Sequence, residues 1–396
     1  MSTYIVNGAR TPFGKFGGSL KDVDEIELGV IATKEAIRRS GVEAGEIDEI
    51  VFGNVIQTSK SAPYLARQIG LKSGMRQESA ALTVNRLCGS GLQAIVSGAQ
   101  AIALGEAEVV AAGGTENMSL APHVLRGTRF GSPHRAPVVD DMLWEALTDH
   151  YIGCGMGMTA ENLAVRYGIS REEQDRFAAD SQRKASAARS AGRFAEEIAP
   201  VTVKGPKGEE LVIETDEHIR EGVTVESLAK LKPAFKRDGT VTAGNASGIN
   251  DGAAAVVLAS GRYVERRGLK PLARIVSWAV TGVDPAVMGI GPVPASRKAL
   301  EKAGLSLEDI GLVELNEAFA VQALAVMKEL RLDPAKVNVN GGAIALGHPV
   351  GASGARVAYT LAVELKKRGL RYGLATLCIG GGQGIAVILE NPEAVR

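Results

Sequence analysis

Cysteine is scarce in this sequence, and so are aromatic side chains. The 396 residues include three cysteines, Cys88, Cys154 and Cys378, with no Cys-x-x-Cys pair among them. Three such thiols make no disulfide framework, so we expect a protein of a reducing compartment, the cytoplasm, in which a lone cysteine can be a nucleophile. Aromatic residues make up 4% of the chain, whereas glycine occurs 48 times. This composition indicates a core of small side chains with closely approaching backbones.

The chain also lacks an excess of either charge. Lys+Arg and Asp+Glu both number 45, which argues against a nucleic-acid partner held by a basic surface. No apolar run reaches about 18 residues, so we expect no membrane span. The N-terminus reaches a strand-like run at Tyr4 without the features of a secretory signal. Five histidines without a His-Glu-x-x-His or Cys-x-x-Cys pattern predict no metal site.

What the sequence does contain is an internal duplication. Residues 36–41 (Ala-Ile-Arg-Arg-Ser-Gly) match residues 299–304 (Ala-Leu-Glu-Lys-Ala-Gly), 263 positions later, and Ser90 meets Ser353 at the same offset. In each half an amphipathic helix ends at a glycine cap, an apolar strand follows, and a glycine-rich loop opens a second helix. Alternating strands and helices predict an α/β fold with largely parallel sheets.

The two halves differ by a long insertion. In the second half, the strand that ends at Cys378 turns through glycines 380–382 directly into the apolar run 385–389. In the first half, the strand is expected to stop at Gly113 and Gly114, and the matching run, 251–258, comes much later. We therefore predict an N-terminal half of residues 1–118 and 248–270, an inserted loop domain of residues 119–247, and a C-terminal half of residues 271–396. An insertion of this length is usually functional.

Cys88 lies between a strand and a helix, in residues 85–91, Asn-Arg-Leu-Cys-Gly-Ser-Gly. A helix N-terminus has partial positive charge and free N–H groups, so this position predicts a lowered thiol pKa and a nucleophile. On position alone, a buried structural cysteine remains an alternative. A dinucleotide fingerprint is a weaker one: Gly89, Gly91 and Ala94 match G-x-G-x-x-A, but the motif is not in the first βαβ unit.

His348 is the candidate partner of Cys88, although the two residues are 260 positions apart. At the offset of 263, His348 corresponds to Asn85 and Gly351 corresponds to Cys88. If the halves pack about a pseudo-two-fold axis, these equivalent loops meet. A Cys–His pair is the minimum for an activated thiol nucleophile, and a histidine that only caps a helix is the alternative.

Two further candidates lie at the ends of strands. Cys378 precedes glycines 380–382, whose successive N–H groups can form an anion-binding nest. A thiol at this place can act as an acid or a base, and a buried structural thiol is the alternative. Asn316 follows the apolar strand 312–315, at the carboxyl end of the strand, where α/β sites cluster.

These segments resemble the thiolases, the acyl-CoA acetyltransferase family, over nearly the whole chain. The resemblance rests on several motifs in the family's order, at residues 7–14, 85–91, 244–252, 316–319, 341–349 and 378–382. It implies an α/β fold of five layers, αβαβα, made of two similar halves with a loop domain inserted into the first. The duplication and the insertion already indicate the same arrangement.

The resemblance also implies roles for the candidate residues. Cys88 is expected to take the acyl group, His348 to activate it, and Cys378 to move a proton to and from the α-carbon of the second acyl-CoA. One oxyanion site is expected from His348 with a water held by Asn316, and the other from the backbone N–H groups of Cys88 and Gly380. No metal or cofactor is expected, because coenzyme A thioesters are themselves the substrates.

The coenzyme A contacts are expected in the inserted domain and around the acyl pocket. By the same resemblance, Ser247 contacts the pantetheine, while Arg220 and Ser227 hold the nucleotide. The expected pocket residues, each of which alone is more often simple core, are Leu147, Met156, Phe235, Met288 and Phe319. Residues 155–157 read Gly-Met-Gly where short-chain members of the family have His-Met-Gly. This departure predicts that acyl chains longer than acetoacetyl are tolerated.

The predicted activity is therefore that of a thiolase: two acyl-CoAs reversibly give 3-ketoacyl-CoA and CoA through an acyl-cysteine. A β-ketoacyl synthase-like condensing enzyme is one alternative, disfavoured by Cys378. A non-catalytic relative that binds acyl-CoA is another, disfavoured because Cys88 and His348 are both present; a nicotinamide dehydrogenase is remote. We expect a homotetramer, a dimer of dimers joined through residues 126–137, with no nucleic-acid or membrane partner.

Overall fold

The computed structural model describes residues 2–131 and 136–394. Residues 132–135 lie outside this range, and they form part of the segment 126–137 that is expected to join dimers. Nothing in the described structure therefore bears on the centre of that segment.

Strands and helices alternate along most of the chain. The strands are β1 (Thr3–Arg10), β2 (Gly14–Lys15), β3 (Glu49–Gly53), β4 (Ala80–Val84), β5 (Val109–Asn117), β6 (His123–Arg126), β7 (Val138–Asp141), β8 (Thr148–Asp149), β9 (Cys154–Gly155), β10 (Val201–Lys204), β11 (Glu210–Ile213), β12 (Asn250–Ser260), β13 (Ala273–Gly282), β14 (Ile310–Leu315), β15 (Tyr372–Ile379) and β16 (Gln383–Glu390). The helices are α1 (Glu25–Ser40), α2 (Leu65–Lys72), α3 (Ser90–Leu104), α4 (Met142–Ala146), α5 (Met156–Tyr167), α6 (Arg171–Ser190), α7 (Val225–Ala229), α8 (Gly261–Arg267), α9 (Pro292–Ala303), α10 (Ala320–Leu330), α11 (Ala343–Leu346) and α12 (Val350–Arg368).

The large sheet has a symmetric strand order, β14-β15-β16-β13-β1-β12-β5-β3-β4, with β2 paired to β12. Strands β3, β5, β12 and β1 of the first half take the places of β14, β15, β16 and β13 of the second. The two half-sheets join where Thr3–Ile5 of β1 pairs with residues 273–275 of β13. The duplication is therefore visible in three dimensions, and β5 and β15 begin 263 positions apart, as the sequence predicts.

The prediction of largely parallel sheets was wrong. Parallel pairing is confined to β14–β15, β3–β4 and β3–β5, and the other neighbours in the large sheet are antiparallel. In the second half, β15 returns to β16 through a tight glycine turn, and such a turn can only join antiparallel strands. Strand β12 has the same antiparallel relation to β5 after the insertion.

The predicted end of the first-half strand at Gly113 and Gly114 was also wrong, because β5 continues to Asn117. The two glycines do not break the strand; they let other backbones approach it. A Cβ on Gly114 would overlap the carbonyl of Gly351, at the start of α12. The insertion leaves at Asn117 and returns at Asp251, which pair with each other across β5 and β12.

The fold has five layers, because helices pack between the two half-sheets and also on the outer face of each. Helices α3 and α12 share one apolar cluster with strands of both halves, while α1, α2 and α8 cover the other face of the first half. Helices α9 and α10 cover the other face of the second half. Alternate residues of β12 point into two different clusters, as the two-residue repeat of a strand requires. The fold is αβαβα, as the family resemblance implies.

The central helices are unusually apolar for this reason. The window Leu87–Leu104, which contains α3, has a mean hydropathy of 1.4 over 18 residues, enough by length and composition to cross a membrane. The sequence analysis overlooked this window. In the fold, α3 packs between strands of both halves and against α12, so its apolar surface is core surface.

Candidate active site

The turn that presents Cys88 is held by its own side chains. The backbone N–H of Leu87 donates to Asn85 Oδ1 at 2.9 Å, and the Ser90 hydroxyl donates to the Leu87 carbonyl at 2.7 Å and accepts from the Arg86 N–H at 2.8 Å. Leu87 has a φ of 47°, an uncommon conformation for a branched side chain. These bonds hold the turn so that Cys88, half-buried, lies just before the first residue of α3.

The expected lowering of the Cys88 thiol pKa was wrong. Burial raises the pKa of Cys88 above its ordinary value, and the charge of Glu116 raises it further. The backbone N–H groups of Gly380 and of Cys88 itself act in the opposite direction. The helix N-terminus does supply donors, but removal from water outweighs them. The two N–H groups expected to form an oxyanion site therefore both stabilise the thiolate of Cys88.

His348 is buried, and both of its ring nitrogens have partners. Its Nδ1 lies 2.5 Å from Ser353 Oγ, and its Nε2 lies 3.4 Å from Asn316 Nδ2. The Ser353 hydroxyl donates to the Pro349 carbonyl at 2.8 Å, so the network assigns the imidazole proton to Nδ1 and leaves a lone pair on Nε2. Burial, with a smaller contribution from Arg356, lowers the pKa of His348 to about 4. The imidazole is therefore a neutral acceptor at neutral pH.

The loop that carries His348 is tied to the first half of the chain. The His348 N–H donates to Asn250 Oδ1 at 2.9 Å, and Asn250 Nδ2 donates to the Gly14 carbonyl at 2.9 Å. The sequence analysis missed both Asn250 and Ser353. Ser353 could have been found, because it is the repeat mate of Ser90, which holds the Cys88 turn in the same way. Asn250 carried no comparable signal.

Asn316 and Cys378 lie at the ends of the adjacent strands β14 and β15. The Asn316 N–H donates to the Thr376 carbonyl at 3.0 Å, and no atom of the described residues hydrogen-bonds to Asn316 Oδ1. Cys378 is fully buried, and burial raises its pKa well above the ordinary value, with a further contribution from the charge of Cys88. The two cysteines are therefore electrostatic neighbours, one from each half.

In the part of the chain that the structure describes, residues 2–131 and 136–394, no hydrogen bond connects Cys88 with His348. The fold brings their loops together all the same, because α3 and α12 begin against each other. Val350, two residues after His348, belongs to the same small apolar cluster that Cys88 contacts. The structure thus brings the sequence-predicted pair together as neighbouring loops.

The expected pocket residues fall on two sides of this centre. Leu147 packs against the same apolar cluster as Cys88, and the cluster that contains Cys378 includes Met288 and Phe319, with Met156 packed against it. Phe235 reaches that cluster through an edge-to-face contact with Phe319, with ring centroids 6.2 Å apart.

Glycines 155 and 157 differ in the space around them. A Cβ on Gly155 would meet only the Leu147 carbonyl, at 3.6 Å, whereas a Cβ on Gly157 would overlap the Phe235 ring. Gly155 also has a φ of −75°, which any residue can adopt. Position 155 therefore has room for a side chain beside the pocket, and position 157 has none.

The residues expected to hold coenzyme A lie farther out. Ser247 is half-buried, and its N–H donates to the Ala318 carbonyl at 3.0 Å, which fastens the loop to the segment after Asn316. Arg220 and Ser227 are exposed on the inserted domain, and the Ser227 hydroxyl caps α7. The structure does not bring these two residues to the Cys88 centre. Their place on an outer surface is open to the distal end of a long ligand.

The described part of the chain contains no group of three or more His, Cys, Asp or Glu side chains placed to hold a metal ion. The absence of a metal and of a resident cofactor stays a prediction.

Comparison with known proteins covers the whole chain. Residues 3–262 match the family model of the thiolase N-terminal domain, and residues 269–391 match that of the thiolase C-terminal domain. An acetyl-CoA acetyltransferase of Rhizobium meliloti (strain 1021) is 55% identical over 98% of this chain and 99% of its own. The crystal structure of human mitochondrial 3-ketoacyl-CoA thiolase is 52% identical, with a TM-score of 0.96 over 99% of both chains. Its complex with CoA has a TM-score of 0.95 at 52% identity over 98% of both chains.

Proposed function

The chain belongs to the thiolase family, and we propose that Cys88, His348 and Cys378 carry its reaction. The protein is an acyltransferase that reversibly converts two acyl-CoAs into 3-ketoacyl-CoA and CoA. The observation that best supports the residue assignment is the setting of Cys88. Its sulfur meets the Gly380 N–H where α3 begins, and it neighbours the second thiol, Cys378.

In the first step, the Cys88 sulfur attacks the carbonyl carbon of an acyl-CoA. His348 Nε2, which holds a lone pair, accepts the thiol proton as the C–S bond forms. The N–H groups of Cys88 and Gly380 stabilise the tetrahedral oxyanion. When the bond to CoA breaks, His348 returns the proton to the departing CoA sulfur, and the acyl group remains on Cys88.

In the second step, the Cys378 thiolate removes an α-proton from the second acyl-CoA. Because burial raises the pKa of Cys378, this thiolate forms only after Cys378 gives its own proton to solvent, and it is then a strong base. The enolate carbon attacks the acyl carbon, the C–C bond forms, and the bond to Cys88 breaks. The α-proton passes from Cys378 to the Cys88 sulfur, and both cysteines return to their starting states.

The enolate oxygen needs a donor, and His348 can supply one. For this its proton must lie on Nε2, so the Ser353 hydroxyl must donate to Nδ1 instead of to the Pro349 carbonyl. A hydroxyl both donates and accepts, so Ser353 can serve either tautomer. Asn316, 3.4 Å from Nε2, lies where its amide can hold a water against the same oxygen.

We propose that coenzyme A binds along a path that leads from the surface of the inserted domain to the Cys88 centre. Ser247 takes the pantetheine, and Arg220 and Ser227 take the nucleotide. A structural neighbour solved with CoA supports this proposal. We propose that the space at Gly155 lets the enzyme accept substrates longer than acetoacetyl-CoA.

We propose that the protein assembles as a homotetramer and acts in the cytoplasm. No cofactor is proposed, because the coenzyme A thioesters are the substrates. Strand β4 supports a contact between two copies of the chain, because it lies at an edge of the large sheet and exposes Leu82. An unpaired strand edge is a ready site for a second copy. Light scattering that reports a species of 41.3 kDa, the mass of one chain, would refute the assembly.

The residue assignment is tested by trapping the acyl-enzyme. Native protein is incubated with acetyl-CoA, and peptide mass spectrometry should place one acetyl group on Cys88. Cys88→Ser should abolish both reaction directions, while Cys154→Ser, which changes a half-buried cysteine outside the centre, should leave them intact. An acetyl group found only on Cys154 or Cys378 would overturn the assignment.

A further inference from the structure

A buried carboxylate, Glu116, joins the two halves beside the centre. It is the next-to-last residue of β5 and has no exposed surface. It accepts hydrogen bonds from Asn54 Nδ2 at 3.0 Å, from the backbone N–H groups of Val55 and Ile56 at 3.0 and 2.9 Å, and from the Gly351 N–H at 3.0 Å. Three of these donors belong to the first half, and the fourth belongs to the second.

The Gly351 bond falls at a special place in the duplication. Gly351 is the repeat mate of Cys88 and lies three residues after His348. A Cβ at this position would lie 2.6 Å from the Thr115 carbonyl and 2.8 Å from Glu116 Oε2. Where one half places its nucleophile, the other half therefore has a glycine pressed against this carboxylate.

Every partner of Glu116 in these bonds is a donor, so the bonds suit the ionised carboxylate. Burial raises the pKa of Glu116, whereas the N–H groups of Ile56, Val55 and Gly351 lower it, and none of the four partners could accept a carboxyl proton. The charge of Glu116 in turn acts on Cys88. The carboxylate thus lies near the nucleophile while holding the first turn of the helix that follows His348.

We propose that Glu116 is a positioning residue that holds the His348 loop in register with Cys88. The proposal rests on the roles of Cys88 and His348 given above. Within residues 2–131 and 136–394, two side chains of the first half hold this loop by hydrogen bonds to its backbone: Asn250, through the His348 N–H, and Glu116, through the Gly351 N–H. Loss of either anchor lets the imidazole shift against the sulfur, and a displacement of about 1 Å can reduce a rate on the order of 10²-fold.

Glu25 provides a matched control. It is also fully buried, and it accepts from Thr58 Oγ1 at 2.6 Å, from Ser59 Oγ at 2.7 Å and from the Ser59 N–H at 3.2 Å. All of these partners lie in the first half. Although the charge of Glu25 raises the pKa of Glu116, none of these partners lies on the His348 loop, so Glu25→Gln reports what losing a buried carboxylate does to the fold without removing an anchor of that loop.

The experiment compares Glu116→Gln, Glu116→Asp and Glu25→Gln with wild type in thiolysis of acetoacetyl-CoA. Glu116→Gln turns one acceptor oxygen into an amide that faces N–H donors, so kcat should fall about 10- to 100-fold, with little change in the KM for CoA. Glu116→Asp keeps the carboxylate and should recover part of kcat. Glu25→Gln should lower the thermal midpoint but keep kcat within about twofold of wild type.

The two proposals fail in different ways. If wild-type Cys88 takes no acetyl group from acetyl-CoA, the residue assignment fails and the role of Glu116 fails with it. If Cys88 is acetylated, a folded Glu116→Gln enzyme with wild-type kcat overturns the positioning role alone. An equal loss of kcat in Glu25→Gln also overturns the positioning role of Glu116. If Glu116→Gln does not fold, Glu116→Asp takes its place, and a wild-type kcat in that variant overturns the positioning role.

Discussion

Gly91 and Gly354, which are 263 positions apart in the sequence, lie against each other where α3 and α12 begin. A Cβ on Gly91 would lie 2.6 Å from the Ala355 nitrogen, and a Cβ on Gly354 would overlap the Leu92 nitrogen. Leu92 and Ala355 are themselves repeat mates. The contact is therefore nearly symmetric and marks the pseudo-two-fold axis, and it sets the Cys88 and His348 loops side by side.

This contact predicts that neither glycine tolerates even one methyl group. Gly91→Ala and Gly354→Ala should each lower the free energy of unfolding by about 1–3 kcal/mol, because the neighbouring atoms are backbone and cannot move aside. Gly45→Ala is the control, since Gly45 is exposed and its Cβ would meet nothing within 4 Å. Calorimetric midpoints measure the effect, and unchanged midpoints for Gly91→Ala and Gly354→Ala would contradict the close approach.

Cys378→Ala should separate the two steps of the reaction. The acetyl group should still reach Cys88, but condensation should slow on the order of 10²- to 10⁴-fold, because the α-proton has no base. Single-turnover acetylation and steady-state condensation measure the two steps, with Cys154→Ala as the control. Condensation at the wild-type rate would make Cys378 a structural residue.

His348 should make stability depend on pH in a known direction. Its pKa is lowered from 6.5 to about 4 in the folded chain, so the unfolded chain binds this proton more readily. Its contribution to stability is complete above about pH 6.5 and is lost as the pH falls towards 4. Between pH 8 and pH 5 the loss is about 2 kcal/mol.

The measurement is chemical denaturation of wild type and His348→Asn at both pH values. The difference between them isolates His348 from His218, whose pKa burial also lowers to about 4. The variant should lose less stability on acidification than wild type does. Equal losses would show that the imidazole is not held neutral.

Gly155→His should narrow the enzyme towards acetoacetyl-CoA. The imidazole would fill space that is open beside the acyl pocket, and each CH₂ that the wild type buries there contributes about 0.8 kcal/mol. Thiolysis rates for 3-ketoacyl-CoAs of increasing length measure the change. If wild type cleaves only the four-carbon substrate and the variant behaves alike, position 155 does not set chain length.

Several features were predictable from the sequence because they depend on local pattern. The offset of 263 anticipated the matched strands and helices, such as β5 with β15 and α3 with α12. The glycine-rich turn and the following helix placed Cys88 at a helix start. Strand direction was predicted wrongly, because alternation of strands and helices does not say how a returning strand such as β12 pairs.

The sequence by itself determined the repeat, the insertion, the family and the residue types at the centre, since these follow from spacing and motif alone. The tertiary structure decided what those residues experience. Burial raises the pKa of Cys88 against the effect of its helix, because desolvation depends on all surrounding atoms and not on neighbours in sequence. The anchors Asn250 and Glu116 reach the His348 loop from 98 and 235 positions away, and only packing of the two halves brings them there.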